Sequence, residues 1–369
     1  MYIYEHKNWP HFIWNDNELT NLLSEASFLQ GTILGKMKAL GFDFQQEAIL
    51  SNMTVEITKS SEIEGELLNK EQVRSSIARR LNINNTDSVT GSHHIDGIVE
   101  MMIDATHNYQ KPLSKERLCG WHAALFPTGY SGMYKISVGD YRTDKDGPMQ
   151  VVSSDIRHET VYYEAPAAEK LPAFMDAFLE WINGANSINP LLQAAIAHLW
   201  FITLHPFEDG NGRIARAITD MMLSRAENSP YRFYSMSAQI QKHKNEYYNI
   251  LESTQKGTLD ITKWMQWFLR CLSASITNAD RLLDSIVNKA LCWQRFNKIT
   301  LDSNQRKMIN MLLDGFEGNL TSSKWAKICK CSQDTATRAI NYLIDNNILE
   351  QKGTGRSTHY ILKCGEKTL

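Results

Sequence analysis

The stretch that decides the fold of this chain runs from residue 205 to residue 216 and reads HPFEDGNGRIAR. Gly210 and Gly212 flank Asn211 at the point where the helical pattern of the next segment begins. Glycine lets backbone N–H groups turn toward a common point, and the positive end of the helix dipole favours an anion there. The stretch therefore predicts a phosphate-binding loop at the start of a helix.

Four of the ionisable side chains of this stretch suit the binding of a nucleotide. Arg213 and Arg216 lie three residues apart, so both guanidinium groups can face one side of the helix and bind a polyphosphate. Asp209 offers a hard oxygen ligand for Mg²⁺, which takes one or two protein carboxylates. His205 can accept a proton near neutral pH. Singly, a buried structural histidine or an ordinary turn would fit as well. Together, the residues favour a site for a nucleoside triphosphate with Mg²⁺.

The pattern of the sequence around this stretch is mainly helical. Apolar residues recur three and four positions apart, which is typical of amphipathic helices. The predicted helical segments are 17–60, 70–80, 95–109, 115–125, 167–183, 191–204, 211–227, 243–255 and 259–287. The exception is 129–154, where Tyr, Val, Ile and Gly surround a Lys-Asp-Gly-Pro turn signal and predict a short β-hairpin. The predicted fold class is mainly α.

The composition changes after about residue 290. Segment 303–369 has ten Lys and Arg against six Asp and Glu, whereas the whole chain has a net charge of -2. The predicted elements of this segment are helices at 306–313, 322–329 and 333–346 and strands at 348–350 and 358–362. Their order predicts a C-terminal winged helix-turn-helix domain.

The overall composition is that of a folded protein with more than one domain. The chain has 369 residues, of which 43% are hydrophobic and 22% charged. Its start lacks the apolar core of a secretory signal, and its most apolar segment, 191–204, is shorter than a membrane helix. The six cysteines lack zinc-site spacing, which favours reduced thiols. We expect a cytoplasmic protein without a membrane segment.

The stretch 205–216 resembles the active-site motif of the Fic family, H-P-F-x-[D/E]-G-N-G-R-x-x-R, at every fixed position. The resemblance covers the chain from about His93 to Cys271, and the flanking regions are similar, more loosely, to the bacterial multidomain branch of the family. It implies a Fic-type helical core with a β-hairpin flap. The domains that it implies are an N-terminal helical region at 1–92, a catalytic core at 93–290 and the winged helix at 291–369.

The resemblance implies protein adenylylation, in which AMP passes from ATP to a Ser, Thr or Tyr hydroxyl and pyrophosphate is released. By resemblance, His205 is the base that deprotonates the hydroxyl, and Asp209 is the Mg²⁺ ligand. Residues 210–212 form the anion cradle near the α-phosphate. Arg213 and Arg216 hold the outer phosphates. Phosphoryl transfer depends mainly on such positioning and charge neutralisation.

A second motif lies upstream of the active-site stretch. Residues 60–65 read SSEIEG and resemble the inhibitory signature [S/T]-x-x-x-E-[G/N] of the same family, with Ser60, Glu64 and Gly65 at its fixed positions. The resemblance implies that Glu64 pairs with Arg216 and occupies the place of the γ-phosphate. The alternative is a solvated acidic helix that ends at Gly65.

Two further assignments come from the resemblance. The hairpin at 137–154 corresponds in position to the flap that docks a target protein by strand pairing, with 139–142 and Gln150, Val151, Val152 and Ser153 as its working parts; a plain surface hairpin is the alternative. Adenine recognition falls to Tyr247, Tyr248 and Gln255, for which surface packing is the alternative.

Other functions remain open at this stage. The same motif would serve removal of AMP or transfer of another nucleotide. A DNA-binding regulator is the alternative from another class, but the third helix of the tail carries Arg338 against Asp334 and Asp345, which favours protein docking over nucleic acid. Self-modification and a homodimer are further partners that the resemblance allows.

Overall fold

We describe the structure from a computed structural model of the full chain, which covers residues 1–39, 42–83, 92–145, 147–152, 161–296, 298–313, 316 and 318–363. The chain divides into two compact units, Met1–Ala279 and Asp280–Leu369. The sequence predicts three domains, with boundaries at 92 and 290, and this finer division stays a prediction. Within the described residues, every helix is too short or too polar to span a bilayer.

Helices build most of the first unit. In chain order they are α1 (Asp16–Ala39), α2 (Phe42–Ile63), α3 (Lys70–Arg80), α4 (His93–His107), α5 (Lys115–Leu125), α6 (Leu171–Asn183), α7 (Pro190–Leu204), α8 (Asn211–Glu227), α9 (Met236–Lys242), α10 (Lys244–Gln255) and α11 (Thr262–Phe296). The segment 17–60, which was predicted helical throughout, divides into α1 and α2. Mainly helical architecture is thus confirmed.

The centre of this unit is the antiparallel pair of α7 and α8, which make the most extensive helix contact of the described chain. Helix α7 starts at a capped Asn189, whose side chain accepts a hydrogen bond from the N–H of Leu191, with Pro190 in its first turn. From Leu191 to Leu204 every residue is buried except Gln193. An apolar helix of this kind is stable only when other helices cover all its faces. Its position then determines where the loop after it lies.

Helix α2 brings the upstream motif to α8. It packs against α3, α8 and α9, and its apolar residues Ile57 and Ile63 are fully buried. The helix ends at Ile63, and Gly65 follows with a φ of 86°, a left-handed conformation that favours glycine. Ser60 therefore lies in the last turn of α2, and Glu64 and Gly65 form the turn that follows the helix.

A short hairpin occurs within 129–154, as predicted, but the pairing predicted for the hairpin at 137–154 is wrong. The strand pairs are β1 (Tyr130–Ser131) with β2 (Tyr134–Lys135), and β3 (Gln150–Val152) with β4 (Val161–Glu164). The segment between β2 and β3 cannot pair with β3 because its backbone is used elsewhere: the N–H of Gly139 donates to His122 and that of Arg142 donates to the carbonyl of Pro206. Ser153 lies outside the described residues.

The second unit contains the elements predicted for the tail in the predicted order. They are α12 (Ser303–Leu313), α13 (Ser322–Cys329), α14 (Gln333–Asp345), β5 (Leu349–Lys352) and β6 (His359–Leu362). Strands β5 and β6 pair antiparallel. The core includes Trp325, Met308 and Ile340, all at most 1% exposed. A winged-helix domain stays our interpretation of this order.

Candidate active site

The loop between α7 and α8 has an unusual backbone at both ends. His205 has a φ of 49° and Gly210 a φ of 80°, both in the left-handed region. A Cβ on residue 210 would also lie 2.9 Å from the ring of Phe126, so only glycine fits there. The loop therefore leaves α7 and enters α8 through two sharp turns. The N–H groups of the first turn of α8 have no partners within the helix and are available to an anion.

Asn211 determines the shape of the loop. Its Nδ2 donates to the carbonyl of Phe207 at 2.7 Å, and its Oδ1 accepts from the N–H of Phe207 at 3.0 Å. Phe207 is fully buried and stacks on His122 at a centroid distance of 4.3 Å. The Asn211 side chain thus has a structural role, and only its backbone belongs to the cradle.

His205 is held as a neutral base. Its Nδ1–H donates to the carbonyl of Ile202 at 3.2 Å, which leaves the lone pair of Nε2 free to accept a proton. Burial lowers the pKa of His205 to about 4, because the charged imidazolium is poorly solvated at this position. The imidazole is therefore unprotonated at neutral pH, as a general base must be.

Arg142 holds the backbone of His205. The sequence alone did not predict this contact. Its Nε donates to the carbonyl of His205 at 2.8 Å, and its side chain also contacts the carbonyl of Pro166 and the carboxylate of Asp144. Only 1% of the Arg142 side chain is exposed. The assignment of Arg142 to an exposed edge of the flap is therefore wrong. Its side chain is buried because it donates hydrogen bonds to backbone carbonyls around the loop.

Asp209 has the properties of an Mg²⁺ ligand. Its Oδ1 accepts from the N–H of Gly210 at 2.5 Å, its Oδ2 accepts from the hydroxyl of Ser131, and 44% of its side chain is exposed. The described residues contain no group of three or more His, Cys, Asp or Glu side chains that could hold a metal ion by themselves. A single hard carboxylate fits Mg²⁺ that completes its shell with phosphate oxygens and water.

Glu64 lies on Arg216, as the upstream motif predicts. Its Oε1 is 2.8 Å from NH2 of Arg216, while Ser60 accepts from the same guanidinium through its hydroxyl (2.8 Å) and its carbonyl (2.9 Å). A Cβ on residue 212 would come 2.1 Å from that carboxylate oxygen, so Gly212 makes room for Glu64 at the first turn of α8. Arg216 is 2% exposed, whereas 32% of the Glu64 side chain is exposed, so water is excluded from the arginine side of the contact only.

A second carboxylate, Glu66, lies on the other arginine. Its Oε2 is 3.0 Å from NH1 of Arg213, and its Oε1 accepts from Nε2 of His94. The hydrogen bond from His94 is the main reason that the pKa of the Glu66 carboxyl lies below its usual range, and Arg213 lowers it further. The Nδ1 atom of His94 faces the carbonyl of Leu125 at 3.1 Å. Since His94 lies in α4, far from either motif in sequence, only the fold reveals this cluster.

The three residues assigned to adenine differ in their surroundings. Tyr247 is 2% exposed, shares a hydrogen bond of 2.8 Å with Nε2 of His198 and packs on Trp267. Gln255 is buried and donates to the hydroxyl of Thr203 at 3.3 Å. Tyr248 is 39% exposed. Of the three, Tyr248 alone presents a ring face to solvent, and the adenine assignment stays a prediction.

These features define a helical protein with an anion-binding loop whose two arginines are each paired to a carboxylate of one upstream segment. Family comparison agrees with this class. The model of the Fic/DOC family matches residues 112–223, which include the whole stretch 205–216. The chain therefore contains a Fic/DOC family domain. A domain of unknown function, DUF4172, matches residues 2–83, the region that carries α1, α2 and the two carboxylates Glu64 and Glu66.

Curated relatives match about a third of this chain. A protein adenylyltransferase Fic from Culex quinquefasciatus is 30% identical over 132 residues, which is 34% of this chain and 25% of that protein. A protein of the same description from Nematostella vectensis is 31% identical over 139 residues, 37% of this chain and 30% of that protein. The chain thus spans less than a third of the length of these relatives.

A solved structure supports the fold along nearly the whole chain. The crystal structure of a Fic family protein from Desulfovibrio desulfuricans G20 has a TM-score of 0.54 and 19% sequence identity, and the match covers 95% of this chain and 97% of that one. The architecture of the described chain is therefore that of a known Fic-family fold.

Proposed function

We propose that this protein is a protein adenylyltransferase that transfers AMP from ATP to the hydroxyl of a Ser, Thr or Tyr side chain. The observation that carries the proposal is the neutral His205, with its Nε2 free, at the start of a loop that ends in the anion-binding first turn of α8. The curated relatives that share this region are named adenylyltransferases.

The proposed reaction is an in-line displacement at the α-phosphorus. The hydroxyl oxygen of the target forms a bond to this phosphorus, the bond from the phosphorus to the oxygen that bridges to the β-phosphate breaks, and pyrophosphate leaves. Nε2 of His205 takes the proton of the hydroxyl. The N–H groups at the start of α8 stabilise the charge on the α-phosphate oxygens. Mg²⁺, when held by Asp209 and the phosphates, neutralises charge on the pyrophosphate.

We further propose that the activity is autoinhibited. The γ-phosphate needs the guanidinium of Arg216, but Glu64 already pairs with it at 2.8 Å. A bidentate pair between a guanidinium and a phosphate cannot form while a carboxylate holds the same donors. ATP that binds under these conditions is displaced from the in-line geometry that transfer requires.

Target docking is proposed for the pair β3–β4 in place of the predicted hairpin. A two-stranded sheet leaves one edge of each strand unpaired, and an extended peptide can add to such an edge. Val152, Val161 and Tyr162 on these strands are between 37% and 42% exposed. The carbonyl of Glu164, at the end of β4, accepts from the hydroxyl of Tyr4, which anchors the pair to the N-terminal segment.

The test is label transfer from ATP that carries its radioactive phosphate in the α position. Purified protein with Glu64 replaced by Gly is incubated with Mg²⁺ and a lysate, and the labelled proteins and the mass of the adduct are determined. The expected adduct is one AMP on a hydroxyl side chain, absent with His205→Ala. No label on any protein, including the enzyme, would overturn the proposal.

A further inference from the structure

The hydroxyl group nearest the proposed metal ligand belongs to a residue outside both motifs. Ser131, the last residue of β1, donates through Oγ to Oδ2 of Asp209. Its strand is followed by Gly132, with a φ of 56°, and by β2, so the hydroxyl is carried by a tight hairpin. A contact between a hairpin and the loop after α7 is not implied by the residues of either segment alone.

The hairpin is tied to the loop by more than this one contact. The N–H of Ile136 donates to the carbonyl of Gly129 at 3.1 Å, which closes the base of the hairpin. The N–H of Ser137 then donates to the carboxylate of Glu208 at 3.0 Å. The two acidic residues of the loop, Glu208 and Asp209, therefore hold the hairpin at two points. The Ser131 hydroxyl has a fixed place relative to the loop.

Asp209 has a competing partner in the first turn of α8. Arg213 lies four residues later in the chain and carries the opposite charge. The distance between Oδ2 of Asp209 and NH2 of Arg213 is nevertheless 4.0 Å, at the outer limit of an ion pair. A closer ion pair would occupy one oxygen of Asp209 and one edge of the Arg213 guanidinium. Neither group would then be fully available to a metal–nucleotide complex.

Each of the two side chains has contacts of its own. Ser131 and the N–H of Gly210 hold one oxygen each of the Asp209 carboxylate. Glu66 pairs at 3.0 Å with NH1 of Arg213, which is not the nitrogen nearest to Asp209. Metal-binding carboxylates commonly depend on such a hydrogen-bonded outer shell for their orientation.

We infer that Ser131 is a positioning residue that fixes the orientation of the Asp209 carboxylate for the divalent cation of the nucleotide complex. This inference rests on the proposed function, since it assumes that ATP binds together with a divalent cation at this loop. Ser131 itself touches neither the reacting hydroxyl nor His205 in this scheme. Its effect is on metal affinity, through the orientation of a single ligand.

The test compares Ser131→Thr with Ser131→Val in the Glu64→Gly background of the full chain. The two side chains have nearly the same shape and β-branching, and only threonine keeps the hydroxyl. Mn²⁺ binding in the presence of ATP is measured by electron paramagnetic resonance, and ATP affinity is measured separately in EDTA. Ser137→Ala is the matched control, because it is the backbone of Ser137 that contacts Glu208.

Loss of a group that orients a metal ligand weakens metal affinity about tenfold or more. We expect Ser131→Val to weaken Mn²⁺ binding by about this factor and to raise the Mg²⁺ concentration for half-maximal transfer. Ser131→Thr and Ser137→Ala should bind Mn²⁺ like the parent, and all variants should bind ATP alike in EDTA. Equal Mn²⁺ affinity for the valine and threonine variants would overturn the inference. A parent that binds no Mn²⁺ with ATP would instead overturn the proposed function, and this inference with it.

Discussion

The carboxylate of Glu64 lies 2.8 Å from the guanidinium of Arg216 and takes the space that a side chain on residue 212 would need. One glycine of the anion loop therefore serves two purposes. It leaves the backbone of the first turn open, and it admits the Glu64 carboxylate beside Arg216. Under the proposed function, activation requires this carboxylate to leave.

Replacement of Glu64 by Gly should raise transfer. A charge-assisted contact of about 2 kcal/mol corresponds to a rise of about 30-fold. The measurement is self-labelling from ATP. The control is Glu62→Gly, because Glu62 lies in the last turn of α2 but contacts Lys59 and Gln241 instead. The gain should vanish in a double variant with Arg216→Ala. A Glu64→Gly protein no faster than wild type would contradict autoinhibition.

Replacement of Glu66 by Gln in the Glu64→Gly background should tighten ATP binding further. It removes the charge that holds Arg213, and about 1 kcal/mol for a partly exposed ion pair corresponds to about fivefold in affinity. Isothermal titration with ATP and Mg²⁺ measures the change. The control is Glu47→Gln. Glu47 lies in the same helical region, and its carboxylate pairs with Arg74 at 2.6 Å. Weaker binding would mean that Glu66 orients Arg213 instead of restraining it.

His205→Ala should abolish transfer but leave ATP affinity within about twofold, because the imidazole acts on the incoming hydroxyl and not on the nucleotide. Label transfer and equilibrium binding are measured on the same preparation. The expected loss is at least a hundredfold, roughly the lower end of a general-base contribution. Transfer that persists at the parent rate would remove His205 from its proposed role.

Transfer should be nearly independent of pH between about 8 and 6. Because burial lowers the pKa of His205 to about 4, the base stays unprotonated over this range. An ordinary histidine with a pKa of about 6.5 would lose about three quarters of its neutral form at pH 6. Rates of the Glu64→Gly protein at saturating Mg²⁺ and ATP test this point. A fall with an apparent pKa near 6.5 would show that His205 is solvated during turnover.

The same shifts affect stability in acid. Burial also lowers the pKa of His122 to about 4 and, with Arg216 adding, that of His198 to about 3. The unfolded chain therefore takes up more protons than the native one between the ordinary histidine pKa, about 6.5, and these values. Stability that is complete above about pH 6.5 should decline as the pH falls toward 4, which thermal unfolding midpoints will measure. A variant with His122→Phe should show a shallower decline. An identical slope would exclude His122 as a contributor.

Asp209→Ala should weaken Mg²⁺ binding and so reduce the Mg²⁺-dependent transfer. The described residues around the loop offer no cluster of ligands to replace the lost carboxylate, so the phosphate charge is poorly neutralised. The half-maximal Mg²⁺ concentration for transfer should rise at least tenfold, as is typical when metal coordination is impaired. The control on the neighbouring residue is Glu208→Gln, because glutamine keeps an oxygen that can accept the hydrogen bond from the N–H of Ser137. Unchanged Mg²⁺ dependence would contradict the assignment of Asp209.

The amino-acid sequence by itself determined the local parts of this protein. Helical periodicity places α7 and α8, and the glycines at 210 and 212 break the chain between them, so the anion loop is evident without coordinates. The three-residue spacing of Arg213 and Arg216 predicts that both guanidinium groups face one side of α8. Even the pair of Glu64 and Arg216 was predicted, because a recognisable motif marks each partner.

Only the tertiary structure decided which distant groups meet. Ser131 contacts the loop from a hairpin, and Arg142 contacts it from the segment before β3. Glu66, in the turn after α2, pairs with Arg213 and is itself held by His94 of α4. No local pattern marks these contacts. Strand β3 paired with β4 and not with the preceding segment, because that segment gives its N–H groups to the loop. Such choices depend on how the buried helices pack, since hydrophobic burial has no direction of its own and packing alone selects the neighbours.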